Sequence, residues 1–171
     1  MVPPPAMGIT DIVHDDHVLR LGLCRNVVIP AWFNPPTVAH VRAMGRAIDN
    51  LARRHGPDFG MFDVIVEGTP KFSDDVRHEL GKLVADPKSQ GHGAAHVLVL
   101  PGFAGVAVRA FLSTIFLVSR GASPNKVFAE LRAGAAWLAP RLSTGREAWT
   151  TDEILAAQAE VTRLHERPPA P

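Results

Sequence analysis

The side chains with the clearest chemical potential lie near the start of the chain. His14, Asp15, Asp16 and His17 are consecutive and offer imidazole and carboxylate donors, the ligand types that zinc and similar ions use. Adjacent side chains in a strand point in opposite directions, which makes a shared ion awkward. The four residues therefore predict a solvated loop or strand end, and we expect no metal ion there.

A second pair of histidines, His92 and His96, stands four residues apart. That spacing suits a metal only on a helix, whereas Gly91 and Gly93 favour a loop and the apolar residues after His96 favour a strand. A metal site normally needs three or more ligands, and no carboxylate stands nearby in the sequence. We expect neither a metal nor any other cofactor in this chain.

A short glycine-bearing turn between an apolar strand and an apolar helix contains Gly102, Phe103 and Gly105. Backbone amides at such a helix start can bind an anion, although the phosphate-loop and dinucleotide glycine patterns are absent. Arg109 follows inside the apolar helix and must reach solvent, a carboxylate or a ligand. These four residues are the candidate ligand-binding residues of an alternative function, a small-molecule or anion-binding protein or enzyme.

The candidate nucleophiles lack activating neighbours. Cys24 lies in a predicted strand without an adjacent base, which favours a core position. The serines lack the Gly-x-Ser-x-Gly setting of a nucleophile elbow. We assign no catalytic residues and predict that the chain is not an enzyme.

Composition limits the classes of protein to consider. The chain has 171 residues, 46% of them hydrophobic and 20% charged, which is typical of one folded domain. A net charge of +1 gives no basis for nucleic-acid binding. The lone cysteine and the lack of an export signal predict a cytoplasmic protein, and the most apolar stretch, Val106 to Val118, is too short to insert in a membrane.

The elements that must position these residues follow from the apolar periodicity. Two short apolar runs, His17 to Cys24 and Val27 to Phe33, predict a hairpin, and helices and strands alternate after it. The alternation predicts an α/β fold with a single-layer mixed, mainly parallel sheet of about five strands flanked by helices. The later segments are a helix from Thr37 to about His55, strand Phe62 to Val66, a helix capped by Ser73, strand His96 to Leu100, helix Gly105 to Ser119, strand Lys126 to Ala129, helix Leu131 to Leu138 ended by Pro140, and an appended C-terminal helix capped by Thr151.

Proline-rich ends set the domain limits. We predict a flexible segment over 1–12, the α/β domain over 13–142, a linker and C-terminal helix over 143–166, and a flexible tail over 167–171. The linker contains Trp149, which we expect to pin the last helix to the domain.

From about His17 to Leu142, this order resembles the STAS and anti-sigma-factor-antagonist family, in which a hairpin precedes three strand-helix units. The chain is similar to divergent bacterial members in its sequence pieces. These are the strand Leu98 to Leu100, the turn at Gly102 and Phe103, the long apolar helix Val106 to Val118, the strand residues Val127 and Phe128, and Ala136 to Leu138.

The resemblance implies a regulatory module in a bacterial signalling pathway. In that family a kinase phosphorylates a serine or threonine at the helix start after the third strand, and the added charge breaks partner binding. The corresponding segment here lacks the family's Asp-Ser-Ser-Gly pattern and has Asp74 where the phosphorylated serine stands. Thr69, Ser73, Asp74 and Asp75 are therefore the predicted partner-binding or regulatory residues.

The main functional hypothesis is a non-enzymatic regulatory or scaffolding module that binds a protein partner. Ligand binding is the first alternative to this hypothesis. The second alternative is a structural subunit that associates with itself. The apolar helix from Val106 and the stripe from Ile154 to Leu164 would then be buried in a homodimer.

Overall fold

The computed structural model describes residues 10–66, 72–99, 106, 109–110, 123–143 and 147–163. Within them a six-stranded sheet has its strands in sequence order, so the predicted α/β class and mixed sheet are confirmed with one strand more than expected. β1/β2 and β2/β3 pair antiparallel, and the three later pairs are parallel. The strands are β1 Asp11–Asp15, β2 Leu19–Cys24, β3 Val27–Trp32, β4 Gly60–Ile65, β5 Ala94–Leu98 and β6 Asn125–Phe128.

The additional strand is β1, which begins two residues before the predicted domain start at 13 and includes His14. Its residues alternate between exposed and half-buried, and its register with β2 shifts between Ile12 and His14. Charged side chains and a bulge are typical of an edge strand that is protected from pairing with another chain. The low apolar content of Asp11–Asp15 explains why the sequence pattern did not reveal the strand.

The predicted hairpin is confirmed as β2 and β3, joined at Arg25 and Asn26. Every residue of both strands is buried, which accounts for the nearly continuous apolar runs. Asn26 is also fully buried, and it becomes an attachment point for the C-terminal part of the chain.

One face of the sheet is covered by α1 Val38–His55 and α2 Asp74–Ala85. The α1 stripe that includes Val41, Met44, Ile48 and Leu51 is buried, as its spacing predicts. A 3-10 turn, Pro87–Ser89, follows α2.

The opposite face is covered by α3 Leu131–Leu142 and α4 Thr151–Arg163. The expectation that Pro140 ends α3 is wrong, because the helix continues to Leu142 with Pro140 inside it. Ala139 and Leu142 are buried against the sheet and hold the last turn in place. The guanidinium of Arg141 donates to the Trp137 carbonyl at 2.7 Å, within the last two turns of the helix.

The C-terminal helix α4 is part of the core. Ile154, Ala157 and Val161 are buried with the residues of β2, β3 and α3. This burial removes the reason for placing the stripe of α4 in a homodimer, while most of the helix predicted from Gly105 lies outside the described residues. The cap of α4 is one residue earlier than expected, since Thr150 Oγ1 accepts the backbone N–H of Glu153 at 3.2 Å.

Trp149 pins the linker to the domain, as expected. The indole is buried, its Nε1 donates to Asn26 Oδ1 at 2.7 Å, and the Arg25 guanidinium lies 3.6 Å from its ring centroid.

In the part of the chain that the structure describes, no helix combines the length and the apolar character needed to span a membrane.

Two glycines in helices allow the effect of helix propensity on stability to be distinguished from the effect of packing. A Cβ added at Gly81 in α2 meets nothing within 4 Å, whereas one at Gly134 in α3 comes 2.7 Å from Val97 Cγ2. Gly81→Ala should raise the free energy of unfolding by roughly 0.5–1 kcal/mol. Gly134→Ala should lower it, because overpacking costs about 1–3 kcal/mol and the propensity gain offsets only part of that.

Urea denaturation of both variants and of wild type measures these changes in the free energy of unfolding. Equal stabilisation by the two substitutions would contradict the close approach of α3 to β5.

Candidate functional site

The parallel strands bring several loops to one edge of the sheet. The segments leading to α1 and α2 follow the carboxyl ends of β3 and β4. The β1–β2 turn lies at the same edge, because Leu19 at the start of β2 pairs with Trp32 at the end of β3. Ligands of α/β proteins bind outside this carboxyl edge, so polar clusters there are the first candidates for a site.

Three residues meet at that edge, and we call them the histidine–aspartate cluster: His14 from β1, Asp16 from the turn and His40 from α1. His14 Nε2 lies 2.8 Å and His40 Nε2 2.9 Å from the same carboxylate oxygen, Asp16 Oδ2. The two imidazole rings are nearly perpendicular, with centroids 5.7 Å apart. Both nitrogens donate to Oδ2 in this geometry, since a carboxylate oxygen accepts.

The other oxygen of Asp16 is fixed by the backbone. Asp16 Oδ1 accepts the N–H groups of Val18 at 2.8 Å and Leu19 at 2.9 Å, which closes the β1–β2 turn. Burial of the carboxylate raises its pKa, but the N–H bonds from Leu19 and Val18 and the contacts with both histidines lower it more. The net effect holds the pKa of Asp16 well below its ordinary value.

His40 is oriented by the start of its own helix. It is the third residue of α1, and its Nδ1 accepts the backbone N–H of the N-cap residue Thr37 at 3.1 Å. Thr37 Oγ1 lies 2.9 Å from the same nitrogen. Because Nδ1 accepts, the ring proton of a neutral His40 lies on Nε2 and faces Asp16.

The loop from β3 to α1 is also tied to this turn. The side-chain amide of Asn34 donates to the His17 carbonyl at 2.6 Å, and the Phe33 N–H donates to the Val18 carbonyl at 2.8 Å. His17 itself is exposed and is not part of the cluster. The four consecutive residues singled out in the sequence therefore separate, and only His14 and Asp16 join a common site.

The predicted regulatory residues lie at the start of α2. Ser73 is the N-cap, and its Oγ accepts the Val76 N–H at 3.3 Å. Ser73, Asp74 and Asp75 are all exposed, and Asp74 Oδ1 lies 3.5 Å from Arg77 Nη1. Thr69 lies outside the described residues.

Of the candidate ligand-binding residues, Gly102, Phe103 and Gly105 also lie outside the described residues. Arg109 is half-buried, and its Nη1 donates to the carbonyl of Leu98, the last residue of β5, at 3.5 Å. The guanidinium therefore contacts the carboxyl edge through the backbone, and an anion site there stays a prediction.

His92 lies in a loop and His96 in β5, as predicted, and the two side chains have different partners. His92 Nε2 lies 2.8 Å from Asp58 Oδ1, before β4. His96 Nδ1 lies 2.7 Å from Asp63 Oδ2 within the sheet, and Asp63 Oδ1 also accepts from the Trp32 indole at 2.7 Å. Each is a pair of one histidine with one carboxylate, so neither gathers the ligands of a metal site.

Cys24 is a buried core residue, as predicted. Desolvation by burial raises the pKa of the thiol, which disfavours the reactive thiolate.

Sequence reasoning missed His40. Its position three residues after Thr37 was visible as a capping position, but histidine is uncommon there, since Glu or Gln usually fills it. Asp16 and His40 are 24 positions apart, and the intervening sequence carries no local signal that the two side chains meet.

The comparisons with known proteins give no family for this chain: no protein-family model matches it, and no curated protein matches its sequence.

The Asp16 carboxylate should stabilise the fold in a pH-dependent way. Its folded pKa lies below the ordinary 3.8, so its contribution is present above that pH and is lost as the pH falls through the lower folded value. At neutral pH, Asp16→Asn should reduce the free energy of unfolding by about 1–3 kcal/mol, because charge-assisted bonds are lost.

Urea denaturation with chelator present, repeated from about pH 7 to about pH 2, measures the gap in free energy of unfolding between wild type and the Asp16→Asn variant. The gap between wild type and variant should narrow below pH 3.8. A gap that is constant with pH would show that the ionised carboxylate contributes nothing.

Proposed function

We propose that this chain is a non-enzymatic regulatory or scaffolding module that recognises a protein partner through the start of α2. The observation that carries the proposal is the exposure of Ser73, Asp74 and Asp75 on consecutive positions of one helix start. Asp74 is 98% exposed, so its charge is available to a partner. The resemblance of the strand and helix order to the STAS family supports the same surface.

The rest of α2 is also largely accessible. Val76 is the only residue of the helix that is fully buried, and Leu80 and Leu83 pack partly against the core. Next to it, a cleft of about 330 Å³ between α1 and α2 is lined by both signs of charge, among them Arg42, Glu79 and Lys82. A partner that binds α2 therefore contacts Asp74 and Asp75, which we call the acidic tip, and the neighbouring cleft of mixed charge.

The chemistry of the acidic tip selects a basic surface. Asp74 and Asp75 add their charge to an end of the helix where the backbone dipole is positive, so the tip is stable without a bound partner. Lysine or arginine side chains of the partner would form charge-assisted hydrogen bonds with the two carboxylates. Such contacts contribute mainly to specificity and to the rate of association.

Ser73 supplies a point of regulation. A phosphate on its Oγ would add roughly −1.5 to −2 charges beside two carboxylates and would alter the capping hydrogen bond to Val76. The added charge would change how a basic partner is held. Ser73 lies one residue before the position that is phosphorylated in the family that the chain resembles, where Asp74 provides a fixed charge here.

The test is quantitative partner capture with the full chain and a double variant, Asp74→Lys with Asp75→Lys. Loss of one or more specific partners is the expected result, because the reversed charge repels a basic surface.

The matched control is Asp152→Lys in the first turn of α4, on the other face of the sheet. Asp152 is 79% exposed and pairs with Arg132 at 3.0 Å, so its replacement also reverses an exposed acidic charge in the first turn of a helix. Identical partner sets for wild type and the α2 variant, or equal losses with the control, would exclude α2 as the recognition surface.

A further inference from the structure

The histidine–aspartate cluster of His14, Asp16 and His40 has a role that the α2 surface does not explain. We propose that it binds a divalent transition-metal ion of the zinc type. His14 Nε2, Asp16 Oδ2 and His40 Nε2 all lie within 4.8 Å of one another, and they come from a strand, a turn and a helix. The proposal is independent of partner binding through α2.

The donor set selects the class of ion. Two imidazole nitrogens and one carboxylate oxygen suit zinc, cobalt and related ions, whereas magnesium and calcium prefer oxygen ligands. Three protein ligands leave further coordination positions open. The side chains of His14 and Asp16 are 30% and 33% exposed, so water or a donor from another molecule can reach such a position.

The two nitrogen–oxygen distances of the cluster need only a small adjustment to match those between the ligands of a zinc ion. Tetrahedral ligands at about 2.1 Å from zinc are roughly 3.4 Å apart. The two nitrogens now lie 2.8 and 2.9 Å from Asp16 Oδ2. An outward shift of about half an ångström of each ring would bring both nitrogen–oxygen distances to that value, and the two nitrogens already lie within 4.8 Å of each other.

Asp16 is fixed for this role before any ion arrives. Its Oδ1 accepts two backbone N–H groups, of Val18 and Leu19, which aims Oδ2 at both imidazoles. The contacts of Asn34 with His17 and of Phe33 with Val18 tie the β3–α1 loop to the β1–β2 turn, which keeps the start of α1 and His40 beside Asp16. Little ordering of the chain is left for metal binding to bring about.

Thr37 completes the environment of His40. When Nε2 binds an ion, the proton of the neutral ring must be on Nδ1, which then donates to Thr37 Oγ1, now 2.9 Å away. The bond from the Thr37 N–H to Nδ1 is given up in exchange. Thr37 is therefore a positioning residue, because its Oγ1 would accept the Nδ1 proton of the metal-binding tautomer.

The other histidine–carboxylate contacts of the described residues lack a second imidazole. His92 with Asp58 and His96 with Asp63 each offer two donors, which is too few for a tight site. They provide internal controls within the same protein.

The experiment uses the full untagged chain, stripped with a chelator and titrated with Zn²⁺ against a chromophoric competitor and by calorimetry. Wild type should bind one ion per chain with a rise in melting temperature, and excess Mg²⁺ should not compete. Co²⁺ in place of Zn²⁺ should give the visible absorption of a four- or five-coordinate ion. In NMR spectra the imidazole signals of His14 and His40 should shift, and those of His92 and His96 should not.

His14→Ala should weaken Zn²⁺ binding by at least about tenfold, whereas His17→Ala, three residues along at an exposed position, should bind as wild type does. Thr37→Val should weaken binding by about 10–100-fold, and Thr37→Ser should restore it. Circular dichroism of each variant without metal checks that the fold is retained.

Absence of saturable binding to wild type would overturn the proposal, as would equal affinities of the His14→Ala and His17→Ala variants. Either result would leave the cluster as a hydrogen-bonded tie between the β1–β2 turn and α1.

Discussion

Burial of both sheet faces is the constraint on which this structure depends. Strands β2, β3 and β5 have no exposed residue, so helices must cover them on each side. On one side α1 and α2 do so, and on the other α3 and α4. The C-terminal helix consequently belongs to the core: without Ile154 and Val161, the apolar surface of β2 and β3 would face water.

Close contact between the layers depends on small residues at a few positions. Gly22 in β2 leaves room for Val161 of α4, whose Cγ2 would lie 2.5 Å from a Cβ added at Gly22. The buried hydrogen bond from Trp149 to Asn26 then fixes the approach of the linker, since an unpaired buried amide or indole N–H is costly. Packing and polar pairing thus specify the same docked position for α4.

The mixed pairing of the sheet also decides where polar groups gather. Since β2 runs antiparallel to β3, the β1–β2 turn returns to the edge at which α1 begins, and Asp16 meets His40 there. The start of α2 follows the next parallel strand, but its acidic side chains are exposed to solvent, and Asp74 pairs with Arg77 of the same helix. The two proposals therefore concern different chemistry: charge recognition on an exposed helix tip, and coordination by a preorganised cluster.

The sequence by itself determined the local elements. Apolar periodicity predicted the β2–β3 hairpin, α1, α2 and the alternation that requires parallel strands, and it placed Ser73 at the cap of α2. These features depend on neighbours a few residues apart, which share a face or a turn. The apolar pattern did not predict the charged strand β1, which is formed because it pairs with β2. It also did not predict that α3 continues past Pro140, where burial of Leu142 outweighs the local preference of proline.

Only the tertiary structure decided which distant side chains meet. Asp16 and His40 are 24 residues apart, Asn26 and Trp149 are 123 apart, and Thr10 and Glu160 are 150 apart, yet each pair is joined by a hydrogen bond. Periodicity reports which face a residue occupies, but not the strand register or the crossover that brings two faces together. For that reason the sequence singled out His14 and Asp16 as donors of suitable type, although no metal ion was expected there, while His40 was found only from the fold.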